Sequence, residues 1–315
     1  MRIVFCGSGS FAVPALEAIL ASGHEVAEIV TQPARPAGRG GKLRPTPLAE
    51  AARAIGLESV ECLDVNSDEV AAAIAGAAPD VICVADFGQL VRPRVRQLAR
   101  VDAINLHASL LPELRGAAPI NWAVIRGYPR TGVTTFSLVD RMDAGPIYLQ
   151  IATDIRPDET ADELRNRLAV IGADALTRTL DLMEAGRPGG QEQDESRSTL
   201  ARRLKKTDGL IDWSADVWTI YNLIRGTWPW PAGQTLFRRG DGCEFPVEIA
   251  RAAVQDDAAA AGEPGMLDEN LCVWAGLGRL QVVEIQPAGK RRMSWLDFVN
   301  GYRPRPGDRF VSMGR

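Results

Sequence analysis

The chain has 315 residues, room for about two domains, and its 46% apolar and 24% charged side chains exclude a disordered, collagen-like or coiled-coil chain. Lys and Arg number 36 against 40 Asp and Glu, a net charge of -4, which excludes a globally basic nucleic-acid binder and leaves a polyanion only a local basic surface. Five scattered cysteines, Cys6, Cys62, Cys83, Cys243 and Cys272, form no CxxC pair, so neither a disulfide framework nor a metal site is expected.

In chain order, residues 2–6 read as a buried strand, 11–22 as an amphipathic helix stopped by Gly23, and 25–31 as a second strand. Thr46 is expected to cap a helix with Pro47 in its first turn, and Asn66, with Glu69 three residues on, to cap another. Strands follow at 80–85 and 103–107, with helices at 93–99 and 117–126. This alternation predicts an α/β domain: a mostly parallel, Rossmann-like sheet with helices on both faces. Residues 131–138 and 147–153 are rich in β-branched and aromatic side chains and read as adjacent strands, and 160–185 as a long helix. A polar, Gly-rich stretch from Gly186 to Ser198 reads as linker. Beyond a helix near 215–225, short strand-like pieces at 243–250, 270–274 and 278–286 predict a small OB-like β-barrel. The expected division is a catalytic domain over 1–186, a linker over 187–208 and the barrel over 209–315. No signal-peptide layout opens the chain and no apolar run nears the ~20 residues of a membrane span, so the cytoplasm is the expected location.

The start Gly7-Ser8-Gly9-Ser10-Phe11 has the look of a dinucleotide loop, but position 12 is Ala and Thr31, not an acid, ends the second strand. A nicotinamide site is therefore not expected, though the helix N-terminus stays open to an anion or a polar ligand edge. Asn105 and His107, two apart on a strand, project from one face, at the carboxyl end where ligands of open α/β sheets bind. Two such polar groups in an apolar strand are costly unless used or paired. His24, the other histidine, lies in a Ser-Gly-His-Glu turn and reads as a surface residue. An acting histidine needs an orienting carboxylate, for which Asp143 is well placed on a turn and Asp140 competes. Asn for a developing oxyanion, His for a proton and Asp to orient it suit acyl transfer without a covalent enzyme intermediate.

The segment Asn105-Leu-His-Ala-Ser-Leu-Leu-Pro resembles the catalytic signature of 10-formyltetrahydrofolate-dependent transformylases, which assigns the functional trio to Asn105, His107 and Asp143. Glycinamide ribonucleotide transformylases and nucleotide-sugar formyltransferases share that signature. The run from Thr31 to Pro47 is similar to the basic insertion loop of the methionyl-tRNA formyltransferase branch, and Gly209-Leu-Ile-Asp-Trp-Ser, Trp228-Pro-Trp-Pro and Gln286-Pro-Ala-Gly-Lys-Arg-Arg-Met resemble its linker and C-terminal domain. The resemblance implies 10-formyltetrahydrofolate as co-substrate, no metal, and initiator methionyl-tRNA as partner. It implies folate contacts from Phe87, Gly88, Gln89 and Leu90 and from Ser109, Leu110, Leu111 and Pro112. tRNA contacts are expected from Arg35, Arg39, Lys42 and Arg44 and from Lys205, Lys206, Lys290, Arg291 and Arg292. Departures from the pattern are Glu113, where Lys or Arg is usual, and Gly7-Ser-Gly-Ser in place of Gly-Thr-Pro.

Charge divides along the same line. Residues 1–200 carry 20 basic and 26 acidic groups, and residues 201–315 carry 16 and 14, so the positive excess sits in the C-terminal part. Two alternatives stand beside this reading: the same chemistry on an amino sugar nucleotide, and a dinucleotide- or RNA-binding module without catalysis. A monomer is the default expectation.

Overall fold

The computed structural model describes residues 1–37, 41–187, 189–256 and 262–314. They divide into two compact units, one of residues 1–119, 131–154 and 165–202, the other of 120–130, 155–164 and 203–315.

The first unit is built on β1 (Arg2–Gly7), α1 (Val13–Ala21), β2 (Glu25–Thr31), β3 (Arg35–Ala37), β4 (Lys42–Arg44), α2 (Pro47–Ala54), β5 (Val60–Glu61), α3 (Asp68–Ala77), β6 (Val81–Ala85), α4 (Pro93–Arg96) and β7 (Asp102–His107). After α5 (Pro119–Ile125) come β8 (Arg130–Ser137), β9 (Ile147–Asp154) and α6 (Ala161–Glu184). One sheet runs in the order β5-β2-β1-β6-β7-β8-β9. The pairs from β5 to β7 are parallel, and β8 runs antiparallel to β7. The unbroken apolar runs of β1 and β6 take the centre because both their faces are covered, and residues 81–85 of β6 are buried throughout. Cys6 and Cys83 are filler here; burial pushes both thiols far above the ordinary range, so they stay protonated.

The expected cap at Thr46 is present: its Oγ1 accepts from the Ala49 N–H at 3.1 Å. α3 is capped instead by Ser67, whose Oγ accepts from Val70 N–H at 3.4 Å. Asn66, expected in that role, is engaged elsewhere, its amide donating to Leu90 O and accepting from Arg92 N–H. The basic loop expected between β2 and α2 contains a hairpin, β3 paired with β4 through Arg35 and Arg44, Pro36 and Leu43, and Ala37 and Lys42.

The second unit adds α7 (Val217–Thr227), β10 (Gly233–Arg238), β11 (Glu244–Asp256), β12 (Val273–Trp274), β13 (Arg279–Pro287), β14 (Met293–Ser294), α8 (Trp295–Tyr302) and β15 (Arg309–Val311). Its antiparallel sheet runs β12-β13-β11-β10-β15, with β14 on β13. Bridges from Met266 to Arg309 and from Leu267 to Val273 join the two ends, which gives the barrel its near closure. Aromatic rings fill the core: Phe237 meets Phe298 edge-on at 5.3 Å and Phe310 at 5.1 Å, and Trp295 stacks on Phe298 at 5.2 Å. Asn121 of α5 donates its amide to Gly226 O at 2.8 Å, and buried Arg225 donates to Glu159 O, so two upstream pieces, 120–130 and 155–164, complete this unit. Neither was legible locally, because the partners lie 105 and 66 residues away.

Candidate active site

β6 and β7 end side by side, Val84 opposite Asn105 and Ala85 opposite Leu106. Their following loops therefore share the carboxyl edge of the sheet, where a parallel sheet presents ligands. Asn105 is half-buried, and its side-chain amide has no hydrogen-bond partner among the described residues. His107 is 6% exposed and packs edge-on against Phe136, with ring centres 6.4 Å apart. Its Nε2 lies 2.9 Å from the Leu114 carbonyl. A carbonyl only accepts, so Nε2 carries a hydrogen and Nδ1 is the nitrogen free to gain or lose one. Nδ1 faces Asp143, 3.8 Å from Oδ2.

Asp143 stands at φ +51°, a left-handed conformation disfavoured for residues other than glycine. Its carboxylate accepts the Gly116 N–H at 2.8 Å. Two residues on, a Cβ at Gly145 would stand 1.8 Å from Ser137 O, so only glycine lets the turn pack there. Asp140, the competing carboxylate, points away into a pair with Arg96 at 2.7 Å. The structure thus sets His107 against Asp143, with Asn105 two residues before His107 on β7, and leaves Asp140 outside.

His24 is not the surface residue its turn suggested. It is 7% exposed, with Nδ1 3.1 Å from the Met1 amine and Nε2 3.2 Å from Asp181 Oδ1. Asp181 lies on α6, and no local signal in the Ser-Gly-His-Glu turn announces a helix 157 positions later.

The residues expected at a folate lie in the two loops. After β7, Ser109, Leu111 and Pro112 are buried and Leu110 is half-buried. Ser109 Oγ donates to Glu113 O at 2.6 Å, and Thr134 Oγ1 donates to Ser109 O and accepts the Leu111 N–H, so these side chains shape the loop. Leu111–Pro112 is a cis peptide bond. After β6, Phe87 is buried, Gly88 adopts φ +73° and Leu90 is 57% exposed. Gln89 is already committed: Oε1 accepts from Val65 N–H at 2.8 Å and Nε2 donates to Cys62 O at 3.2 Å. The amides of Ser8 and Gly9 both donate to Asp86 O at 3.1 Å, so the Gly-rich start spends them on the neighbouring loop and not on an anion.

Of the basic residues expected at a nucleic acid, Arg35, Lys42 and Arg44 are exposed on the β3–β4 hairpin; Arg39 lies outside the described residues. In the second unit Lys205, Lys206, Lys290, Arg291 and Arg292 are exposed. Arg292 pairs with Glu284 at 3.3 Å and lies 5.2 Å from the Trp228 ring centre. Glu113 pairs with Arg197 at 3.1 Å.

Three residues near the trio were not anticipated. Arg115, 6% exposed, pairs with Glu195 at 2.9 Å and bonds the Gln193 side chain. Hydrogen bonds from Arg115 and then Arg141 hold the Glu195 carboxyl down at about 2. Gln193 and Glu195 sit in the stretch expected to be a bare linker. Arg115, 78 residues upstream, and the Asp143 and Gly145 carbonyls give Gln193 the partners it is buried against, while Glu195 stays exposed.

Residues 1–180 match the formyl transferase family model, and residues 203–303 match that of the formyl transferase C-terminal domain. The chain belongs to the formyl transferase family. Among relatives of this formyl transferase, the methionyl-tRNA formyltransferase of Solibacter usitatus is 42% identical over 303 residues, 96% of either chain. That of Koribacter versatilis is 43% identical over 98% of either chain. Solved structures share the fold at low identity. A Clostridium thermocellum methionyl-tRNA formyltransferase superposes with a TM-score of 0.54 at 15% identity, covering 81% of this chain and 94% of that one. An N-formyltransferase from Helicobacter canadensis, solved with folinic acid and dTDP-3-aminofucose, gives 0.65 at 15% identity over 91% and 99%.

Proposed function

We propose that this formyl transferase moves the formyl group of 10-formyltetrahydrofolate onto the free α-amine of methionyl initiator tRNA, giving N-formylmethionyl-tRNA for translation initiation. The observation that carries the reading is the buried His107 facing Asp143 at the carboxyl edge of the sheet, with Asn105, two residues earlier on β7, left without a side-chain partner among the described residues. The names and near-full-length identity of its relatives support the acceptor.

The amine attacks the formyl carbon, the new C–N bond forms, and the carbonyl electron pair moves to oxygen. Asn105 donates to that oxygen; one such donor is typically worth about 2.7 to 4 kcal/mol. Nδ1 of His107 takes the proton the amine sheds, and Asp143 stabilises the imidazolium that results. Collapse of the tetrahedral intermediate breaks the bond from N10 to carbon, and the proton passes to N10 as it leaves. Loops 87–90 and 109–112 border the folate in this account, with backbone groups reading the pterin because the side chains of Gln89 and Ser109 are spent internally. The exposed cations of the β3–β4 hairpin and the Lys205, Lys206 and 290–292 groups contact tRNA phosphates. The site of action is the cytoplasm; no described helix is long and apolar enough to cross a membrane.

The deciding experiment supplies formyl-labelled folate together with methionyl initiator tRNA, uncharged tRNA or an amino sugar nucleotide. Label is expected on the charged tRNA alone. Label on the sugar nucleotide, or none on the tRNA, rejects the assignment.

A further inference from the structure

The His107–Asp143 pair is backed on two sides by residues 193–199. Gln193, 9% exposed, donates from Nε2 to the carbonyl oxygens of Asp143 at 2.9 Å and Gly145 at 2.8 Å. Its Oε1 accepts from Arg115 Nε at 3.1 Å and Nη2 at 2.7 Å. Arg115 is anchored in turn by both carboxylate oxygens of Glu195. The next residue, Gly116, donates its N–H into the Asp143 carboxylate. Backbone and carboxylate of Asp143 are thus held by one closed ring of bonds through Arg115, Gln193 and Gly116. On the histidine side, Thr199 Oγ1 accepts the Leu114 N–H at 2.8 Å, and the Leu114 carbonyl faces His107 Nε2.

The chemistry of this ring selects the amide. Two carbonyls need donors and the guanidinium needs an acceptor, and a glutamine offers both in one neutral side chain. A left-handed Asp143 persists only where its surroundings determine it.

We infer that Gln193 is a positioning residue for formyl transfer: it sets the Asp143 carboxylate against Nδ1 of His107 without touching substrate. The inference rests on the trio acting as proposed above. Gln193→Met removes every polar contact at similar volume. Gln193→Glu keeps the pairing with Arg115, which favours folding, but turns two donors into acceptors facing carbonyls.

Both variants of the full chain are measured for kcat and KM in formyl transfer to methionyl initiator tRNA, and for the imidazole signals in long-range 1H–15N spectra. The chain has two histidines, so the spectrum carries its own control. In each folded variant kcat is expected to fall about tenfold or more, because misplacement by about an ångström carries losses of that order, while either KM moves less than about threefold. The His107 signals shift and those of His24 stay. If Gln193→Met does not fold, Gln193→Glu decides alone. A kcat within about twofold of wild type, or equal movement of both histidines, overturns the role. A wild-type protein that transfers no formyl group instead rejects the functional reading, and the His107 response, which needs no substrate, still judges the positioning.

Discussion

His24 and His107 are both buried, and both stand within 4 Å of an aspartate, at 3.2 and 3.8 Å. Burial and a nearby carboxylate therefore do not make an active site. Asp181 beside His24 is 69% exposed, and the other ring nitrogen meets the Met1 amine, so that imidazole ties a chain end to a helix. His107 has a carboxylate 13% exposed in a left-handed turn, an amide two residues away on its strand without a partner among the described residues, and a place at the carboxyl edge of a parallel sheet. What separates the two is a carboxylate held by a rigid surround and a place at the carboxyl edge of the sheet.

Substitutions at the two sites should part accordingly. His107→Ala should lower kcat by about 10²- to 10⁴-fold, the range of a positioned acid-base group, with circular dichroism unchanged. Next in size, Asn105→Ala should lose about 10²- to 10³-fold in kcat, as loss of one oxyanion donor does. His24→Ala should cost about 1 to 3 kcal/mol of stability in urea unfolding, from the lost burial of the ring and the Met1 amine it abandons, yet leave kcat within about twofold. A catalytic defect in that variant equal to that of His107→Ala would erase the distinction.

The smallest effect concerns the surround. The Glu195 carboxyl, held at about 2 when folded against an ordinary 4.5, contributes stability above about pH 4.5 that is lost as pH falls towards 2. Glu195→Gln should therefore flatten that acid decline in thermal melts, lying below wild type near pH 7 and converging with it towards pH 2. An identical slope in the two proteins would show that Arg115 needs no carboxylate.

Much of the first unit could be read locally because its signals are local: the apolar runs of β1 and β6, the Thr46 cap, and the two-residue spacing of Asn105 and His107. The choice of Asp143 over Asp140 rests on the turn and on the resemblance, and the pairing of Asp140 with Arg96 supplies the physical reason that neither could give. Gln193, Arg115, Thr199 and the burial of His24 had no local signal, since each depends on a partner from 78 to 157 positions away. The Gly-rich stretch read as linker because composition reports what a segment can bury by itself, not what a distant arginine offers it.

The central claim is that Asn105, His107 and Asp143 act as one unit on the formyl group. Single-turnover transfer of labelled formyl to methionyl initiator tRNA by His107→Ala, Asp143→Ala and the double variant tests it directly. If Asp143 works through His107, the double variant is no slower than His107→Ala alone. Losses that multiply in the double variant, or near-wild-type turnover in either single variant, would contradict it.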